Sequence, residues 1–198
     1  MNDHITWQFY EPREARWARL GQGPAIAWLT GLPGAGKTSL ASAVDRTLAE
    51  YGRHVFVLDG DNLRHGLCRD LGFSEADRAE NVRRAAEVAR LMAQAGLIVL
   101  VALVSPSRAE RARARAITGN LPFLEVFVDT PLAVCEARDP KGLYALARAG
   151  RLTDFTGISA PFEAPEVPDL TLRTEGLTIA ASAAPLCGAL LRLSSSDA

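Results

Sequence analysis

Lysine is almost missing from this chain. Of its 22 Lys plus Arg residues only two are lysines, Lys37 and Lys141, and the rest are arginines. Such a skew usually follows genome-wide codon usage. It still marks each surviving lysine as a position that the broad, forked guanidinium does not fill. Net charge is equally scant, −1 over 198 residues, which argues against a nucleic-acid binder working through a basic surface. No apolar run reaches the ~20 residues needed to cross a bilayer, and residues 1–17 are polar and charged, with no apolar signal core. The three cysteines, Cys68, Cys135 and Cys187, are odd in number and widely spaced, so they suggest neither a disulfide framework nor a zinc site. These absences lead to the expectation of one soluble cytoplasmic domain with no nucleic-acid or membrane partner.

What is present has the rhythm of an α/β fold. Short apolar runs at 25–30, 55–58, 97–104, 124–128 and 170–172 are five strand candidates. The run 97–104 is apolar throughout, as expected of a strand buried on both faces of a parallel sheet. Between the strands lie helical patterns at 37–51, after Ser74, at 109–117 and at 178–193. Ser74 is a candidate N-cap. The helix behind it places Val82, Ala85, Ala86, Ala89, Met92 and Ala93 on one stripe. The arginines of 109–117 are expected to form a solvated face. Strands alternating with helices predict a doubly wound, mainly parallel five-stranded sheet with helices on both faces. Residues 1–22 read as an N-terminal arm with Trp7 and Trp17 packing against a domain at 23–193, the proline- and acid-rich stretch 160–168 as a loop or cover, and residues 194–198 as a flexible tail.

The chemistry begins at Gly31-Leu32-Pro33-Gly34-Ala35-Gly36-Lys37-Thr38, followed by Ser39. This matches G-x-x-x-x-G-K-[ST] between a strand and a helix, the phosphate-binding loop of nucleoside triphosphate enzymes. Glycines let backbone N–H groups wrap phosphate oxygens, and the helix N-terminus adds positive potential. Lys37 reaches the β- and γ-phosphates, and Thr38 is a Mg²⁺ ligand. ATP and Mg²⁺ follow as co-substrate and cofactor.

The acceptor side is expected at the carboxyl ends of the strands. Asp59 and Asp61 stand at the end of the second strand; one can hold Mg²⁺ and the other can take a proton from an attacking hydroxyl. Arg64 lies three residues beyond Asp61, and Asn81 three beyond Arg78, so each pair shares a helix face. Cations here imply an anionic acceptor. Phe73 and Phe155, in loops, can stack on a base.

At this point the residues resemble a known family, the adenylylsulfate (APS) kinases. The resemblance runs through Asp59-Gly60-Asp61-Asn62-Leu63-Arg64-His65-Gly66-Leu67, Asp70-Leu71-Gly72-Phe73-Ser74, Glu80-Asn81-Val82-Arg83-Arg84, Ser105-Pro106 and Phe127-Val128-Asp129-Thr130-Pro131-Leu132. It continues through Arg138-Asp139-Pro140-Lys141-Gly142-Leu143-Tyr144 and Phe155-Thr156-Gly157-Ile158, with Ile5-Thr6-Trp7 similar to the family's N-terminal arm. It implies transfer of the ATP γ-phosphate to the ribose 3′-hydroxyl of adenosine 5′-phosphosulfate. It implies Asp61 as the group that activates that hydroxyl, with Lys37 and Ser105 beside the transferring phosphate and Asp59 on the metal and substrate side. Arg64, Arg78 and Asn81 would hold the phosphosulfate and ribose, and Phe73 and Phe155 would sandwich the adenine. A lid at about 139–165 would bring Lys141 and Arg148 to ATP. A homodimer and a functional link to ATP sulfurylase also follow from the resemblance.

Four positions depart from the family pattern. Cys68 replaces Asn, Ser107 replaces an aromatic, and Ala145 and Leu146 replace lid lysines. The lid changes predict weaker nucleotide or APS contacts rather than another reaction. Two other readings stay open: a phosphate-loop kinase of another small hydroxyl acceptor, and a non-catalytic nucleotide-binding relative.

Overall fold

The computed structural model describes residue 8 and residues 10–195. Trp7, with the Ile5-Thr6-Trp7 stretch, and Ser196, Asp197 and Ala198 lie outside the described residues. Strands β1 (Ala25–Thr30), β2 (Val55–Asp59), β3 (Ile98–Ala102), β4 (Phe123–Asp129) and β5 (Leu170–Arg173) form one sheet in the order β2-β3-β1-β4-β5. Every neighbouring pair in it is parallel. The described helices are α1 (Arg13–Leu20), α2 (Lys37–Glu50), α3 (Gly60–His65), α4 (Glu75–Gln94), α5 (Arg108–Thr118), α6 (Leu132–Arg138), α7 (Leu143–Arg148) and α8 (Ile179–Leu193).

The apolar runs are continuous because the sheet is covered on both sides. Successive strand residues point to opposite faces. Ala25, Ala27 and Leu29 of β1 join Ile98 and Leu100 of β3 in a core with Leu40, Val44 and Leu48 of α2 and Leu186 and Leu190 of α8. Ile26, Trp28, Val99 and Val101 face the other way, into a core with Val82, Ala85, Ala86 and Ala89 of α4 and Ala114 of α5. The small residues of the α4 stripe let that helix lie close to the sheet. Met92, on the same stripe, packs against this core but is only partly buried. Ser74 caps α4 as its sequence suggests, its side chain accepting from the Asp77 N–H.

The arm carries a helix that its sequence did not announce, and two expectations need correction. The helix, α1, is closed by Gly21 in a left-handed conformation at φ 64°. Trp17 of α1 donates from Nε1 to the Gln94 carbonyl at 3.2 Å, which docks the helix beneath the second core. Ser194 is not frayed: it is fully buried, and its carbonyl accepts from the Gly23 N–H at 3.0 Å. The arginines of α5 are not uniformly solvated either, since Arg111 is only 2 % exposed.

Candidate active site

The strand order places the loops after β1, β2 and β3 side by side at one end of the sheet, where the chain switches direction across β1. The loop after β1 depends on two glycines. Gly31 sits at φ 153°, and a Cβ there would fall 2.6 Å from the Val128 carbonyl oxygen. Gly34 sits at φ 75°, and a Cβ there would come within 3.0 Å of the Cys135 carbonyl oxygen. Both positions therefore exclude side chains, and the loop curls tightly into α2. Lys37, at the first turn of α2, is buried and donates from Nζ to the Gly31 and Leu32 carbonyls, both at 2.8 Å. Burial pushes its ammonium down to about 8, the sign of a desolvated cation with no anionic partner in bonding range.

Thr38, the next residue, donates from Oγ1 to Asp59 Oδ2 at 2.7 Å. The other oxygen of Asp59 accepts from the Asp61 N–H at 2.9 Å and caps α3. Asp59 thus ties the phosphate loop to α3, and Asp61 projects from the first turn of that helix. Asp61 is largely exposed and forms an ion pair with Lys141. The chain's two lysines therefore bracket one site.

The opposite wall is built around arginines. Arg64 donates to the Leu71 and Gly72 carbonyls at 3.1 and 2.8 Å, and its guanidinium lies 4.3 Å from the Phe73 ring centre. Arg78 donates from Nε to the Phe73 carbonyl at 2.8 Å, to Thr156 Oγ1 at 2.6 Å, and to the Asp154 carbonyl. It joins the Phe73 loop to the Phe155 segment, and burial lowers its pKa. Asn81, one turn further along α4, is buried with no partner for Nδ2. Phe73 is 64 % exposed, whereas Phe155 is 8 % exposed and sets its ring edge-on against Tyr144 at 4.9 Å. Tyr144 in turn donates to the Pro33 carbonyl in the phosphate loop at 2.8 Å.

The residues that make the contacts above through their side chains, as opposed to a carbonyl alone, line one cavity of about 740 Å³ together with Ser39. Gly31, Leu32 and Ala35 shape the loop behind it without lining it. Ser105 lines it at the end of β3 with a positive φ of 37°, but its hydroxyl is engaged, accepting from the Trp28 indole N–H at 3.0 Å. Arg148 does not line the cavity: it reaches from the last turn of α7 to Glu136, with Nε donating at 3.1 Å. Ala145 and Leu146 also lie outside the lining, Cys68 is fully buried in the second core, and Ser107 caps α5.

One wall escapes the sequence reading. Arg138, Thr174, Leu177, Ile179 and Ser182 line the cavity on the side of β5 and α8. Arg138 donates to Thr174 Oγ1 at 3.0 Å and to its carbonyl at 3.1 Å, and the buried hydroxyl of Ser182 has no partner. The available signal was positional: residues just past the end of β5 must face the same crevice.

The family profile described as adenylylsulphate kinase matches residues 23–173. The chain is 56% identical over 174 residues to an adenylyl-sulfate kinase of Shewanella denitrificans, covering 88% of this chain and 85% of that protein. It is 56% identical over 173 residues to the bifunctional enzyme NodQ of Rhizobium sp. (strain BR816), covering 87% of this chain. It spans only 27% of that longer relative. Among solved structures it is similar to the Mycobacterium tuberculosis APS kinase CysC in complex with AMPPNP and APS. The TM-score is 0.82 at 52% identity, over 86% of this chain and 98% of that one.

Proposed function

The chain belongs to the adenylylsulphate kinase family, and we propose that its cavity transfers the γ-phosphate of ATP to the ribose 3′-hydroxyl of adenosine 5′-phosphosulfate (APS). The products are ADP and 3′-phosphoadenosine 5′-phosphosulfate. The observation that carries this reading is a single cavity with a phosphate loop and a carboxylate at its centre and two unlike walls. The wall of Arg138, Thr174 and Ser182 takes the donor nucleotide. The wall of Arg64, Phe73, Arg78, Asn81 and Phe155 takes an anionic nucleotide acceptor.

The residues divide the work of an in-line phosphoryl transfer, which needs positioning and charge stabilisation more than covalent chemistry. Lys37 gives up its two carbonyl contacts to phosphate oxygens, and the gain is large because its charge is already desolvated. Asp61 accepts the proton of the attacking hydroxyl as the bond to phosphorus forms. The unpaired Asn81 amide and the guanidinium of Arg78 hold the acceptor's anionic and ribose groups. Segment 139–165 is the lid: it supplies Lys141, Tyr144, Phe155 and Thr156 to the wall, and closing it keeps water from competing as acceptor.

The oxygens of Thr38 and Asp59, 2.7 Å apart at the cradle, are the hard donors that suit Mg²⁺. Thr38 and Asp59 would hold the ion, which supplies charge neutralisation on the phosphate oxygens. The proposal extends to a cytoplasmic homodimer coupled functionally to an ATP sulfurylase. Among the described residues no helix is long and apolar enough to cross a membrane.

The test is ADP release under Mg-ATP with APS and with other small hydroxyl compounds as acceptors. Stimulation by APS alone is expected. Stimulation by another acceptor but not APS would replace this reading with the broader phosphate-loop kinase.

A further inference from the structure

A charge buried in an α/β core without catalytic contact calls for an explanation. Arg111 of α5 is 2 % exposed, and Glu125 of β4 is its ionic partner, accepting from Nε at 2.6 Å. Buried ion pairs contribute little net stability, and apolar residues of similar volume often replace them at no loss. What an apolar residue cannot do is bond three directions at once. Arg111 donates one terminal nitrogen to the Ser105 carbonyl at 2.8 Å and the other to the Glu163 carbonyl at 2.7 Å. Its three acceptors thus stand on a strand, on the turn after β3, and near the far end of the lid segment. Only a planar fork of N–H donors fits that arrangement; an ammonium projects its donors from one point.

Both carbonyls lead into the cavity. Ser105 lines it in a backbone conformation that residues other than glycine seldom adopt, and a carbonyl bond from Arg111 helps hold it there. Glu163 is the far anchor of Phe155. From Phe155 to Ala160 the backbone is a tight turn, with the Ile158, Ser159 and Ala160 N–H groups all pointing to the Phe155 carbonyl. Phe162 then stacks on Phe127 at 6.1 Å, and the Glu163 N–H donates to the Pro106 carbonyl at 2.9 Å. The Glu163 carboxylate also accepts from the Arg108 N–H at 2.7 Å. The covering segment is therefore strapped to the turn after β3, with Arg111 as the buried crosspiece.

We infer that Arg111 is a positioning residue for the acceptor nucleotide: it fixes the Ser105 turn and the Phe155 segment relative to each other, and so sets acceptor affinity without touching substrate. The inference rests on the acceptor assignment above. Its test pairs kinetics with amide hydrogen exchange on the full chain, well below the thermal midpoint of each variant. For Arg111→Lys the KM for APS is expected to rise about tenfold, the KM for ATP to stay within about twofold, and kcat to fall less than about threefold. Exchange of residues 156–166 should quicken about tenfold while the β1 and α2 amides stay unchanged. Glu125→Gln, which keeps the shape and removes the partner charge, should shift the same two quantities in the same direction by about two- to threefold, and it serves if Arg111→Lys fails to fold. An unchanged APS KM, or a parallel rise in both KM values with faster exchange throughout, would overturn the inference. If the wild-type chain shows no APS-stimulated turnover, the acceptor assignment fails. The exchange arm then decides the strap alone: unchanged exchange at 156–166 refutes it, and selective quickening supports it.

Discussion

Replacing Phe155 with leucine separates two roles that its ring fills at once. The ring is 8 % exposed, packs edge-on against Tyr144 at 4.9 Å, and also faces the cavity. Leucine keeps most of the apolar burial, so the stability loss should be about 1–2 kcal/mol, roughly the aromatic pair plus a small packing defect. Alanine at the same position should cost about 3 kcal/mol, the low end for a core phenylalanine because one side is open to the cavity. The substrate effect should be larger and one-sided. Stacking a base on an aromatic ring contributes about 1–3 kcal/mol, so the KM for APS should rise about 5- to 150-fold in Phe155→Leu. The proposed ATP side, built on Lys37 and Arg138, should keep its KM within about twofold. The assays are steady-state kinetics with each substrate varied in turn and denaturant unfolding of the same preparations. An APS KM unchanged beside a measurable stability loss would show that Phe155 only fills the core and would refute its place in the acceptor site.

Three further expectations follow from the same geometry. Asp61→Asn keeps the side-chain volume but removes the proton acceptor, so calorimetry should show ATP binding retained while turnover falls at least about a hundredfold; near-normal turnover would exclude Asp61 as the base. Lys37→Ala should lower kcat by about 10²–10³, the usual cost of losing one preorganised charge at the reacting centre, and an undiminished kcat would overturn the cradle assignment. Arg83 and then Arg84 hold Glu80 down from 4.5 to about 2. Because its folded pKa is the lower one, its stabilising contribution is full above pH 4.5 and is lost as pH falls through about 2. Glu80→Gln should flatten that part of the acid unfolding curve, and an unchanged curve would remove Glu80 from the account.

The centre of the sheet was legible because β1 and β3 are buried on both faces and carry nearly unbroken apolar runs. The run at 25–30 coincides with β1, and the run at 97–104 overshoots β3 by Leu97 at its start and by Leu103 and Val104, which continue, still apolar, into the cavity wall. The short helices were not legible. α3, α6 and α7 have six or seven residues each, too few for a 3.6-residue period to show. α1 escaped because its sequence, REARWARL, offers little beyond Trp17 and Leu20 as an apolar stripe. The phosphate loop and Asp59-Gly60-Asp61 could be read because fixed spacing encodes their chemistry. The Arg138–Thr174 wall could not, since its residues come from distant segments that only the sheet order brings together. Arg111 was hidden for a related reason: its partners, Glu125 and the Ser105 and Glu163 carbonyls, carry no mark in the pattern of α5.

The most direct test of the central claim is where the phosphate goes. In a single turnover with γ-labelled ATP, Mg²⁺ and APS, the label should appear on the ribose 3′-oxygen of the phosphosulfate, in step with ADP release, and Asp61→Asn should abolish that product without abolishing ATP binding. Label found only in inorganic phosphate, or on any acceptor in preference to APS, would contradict the account.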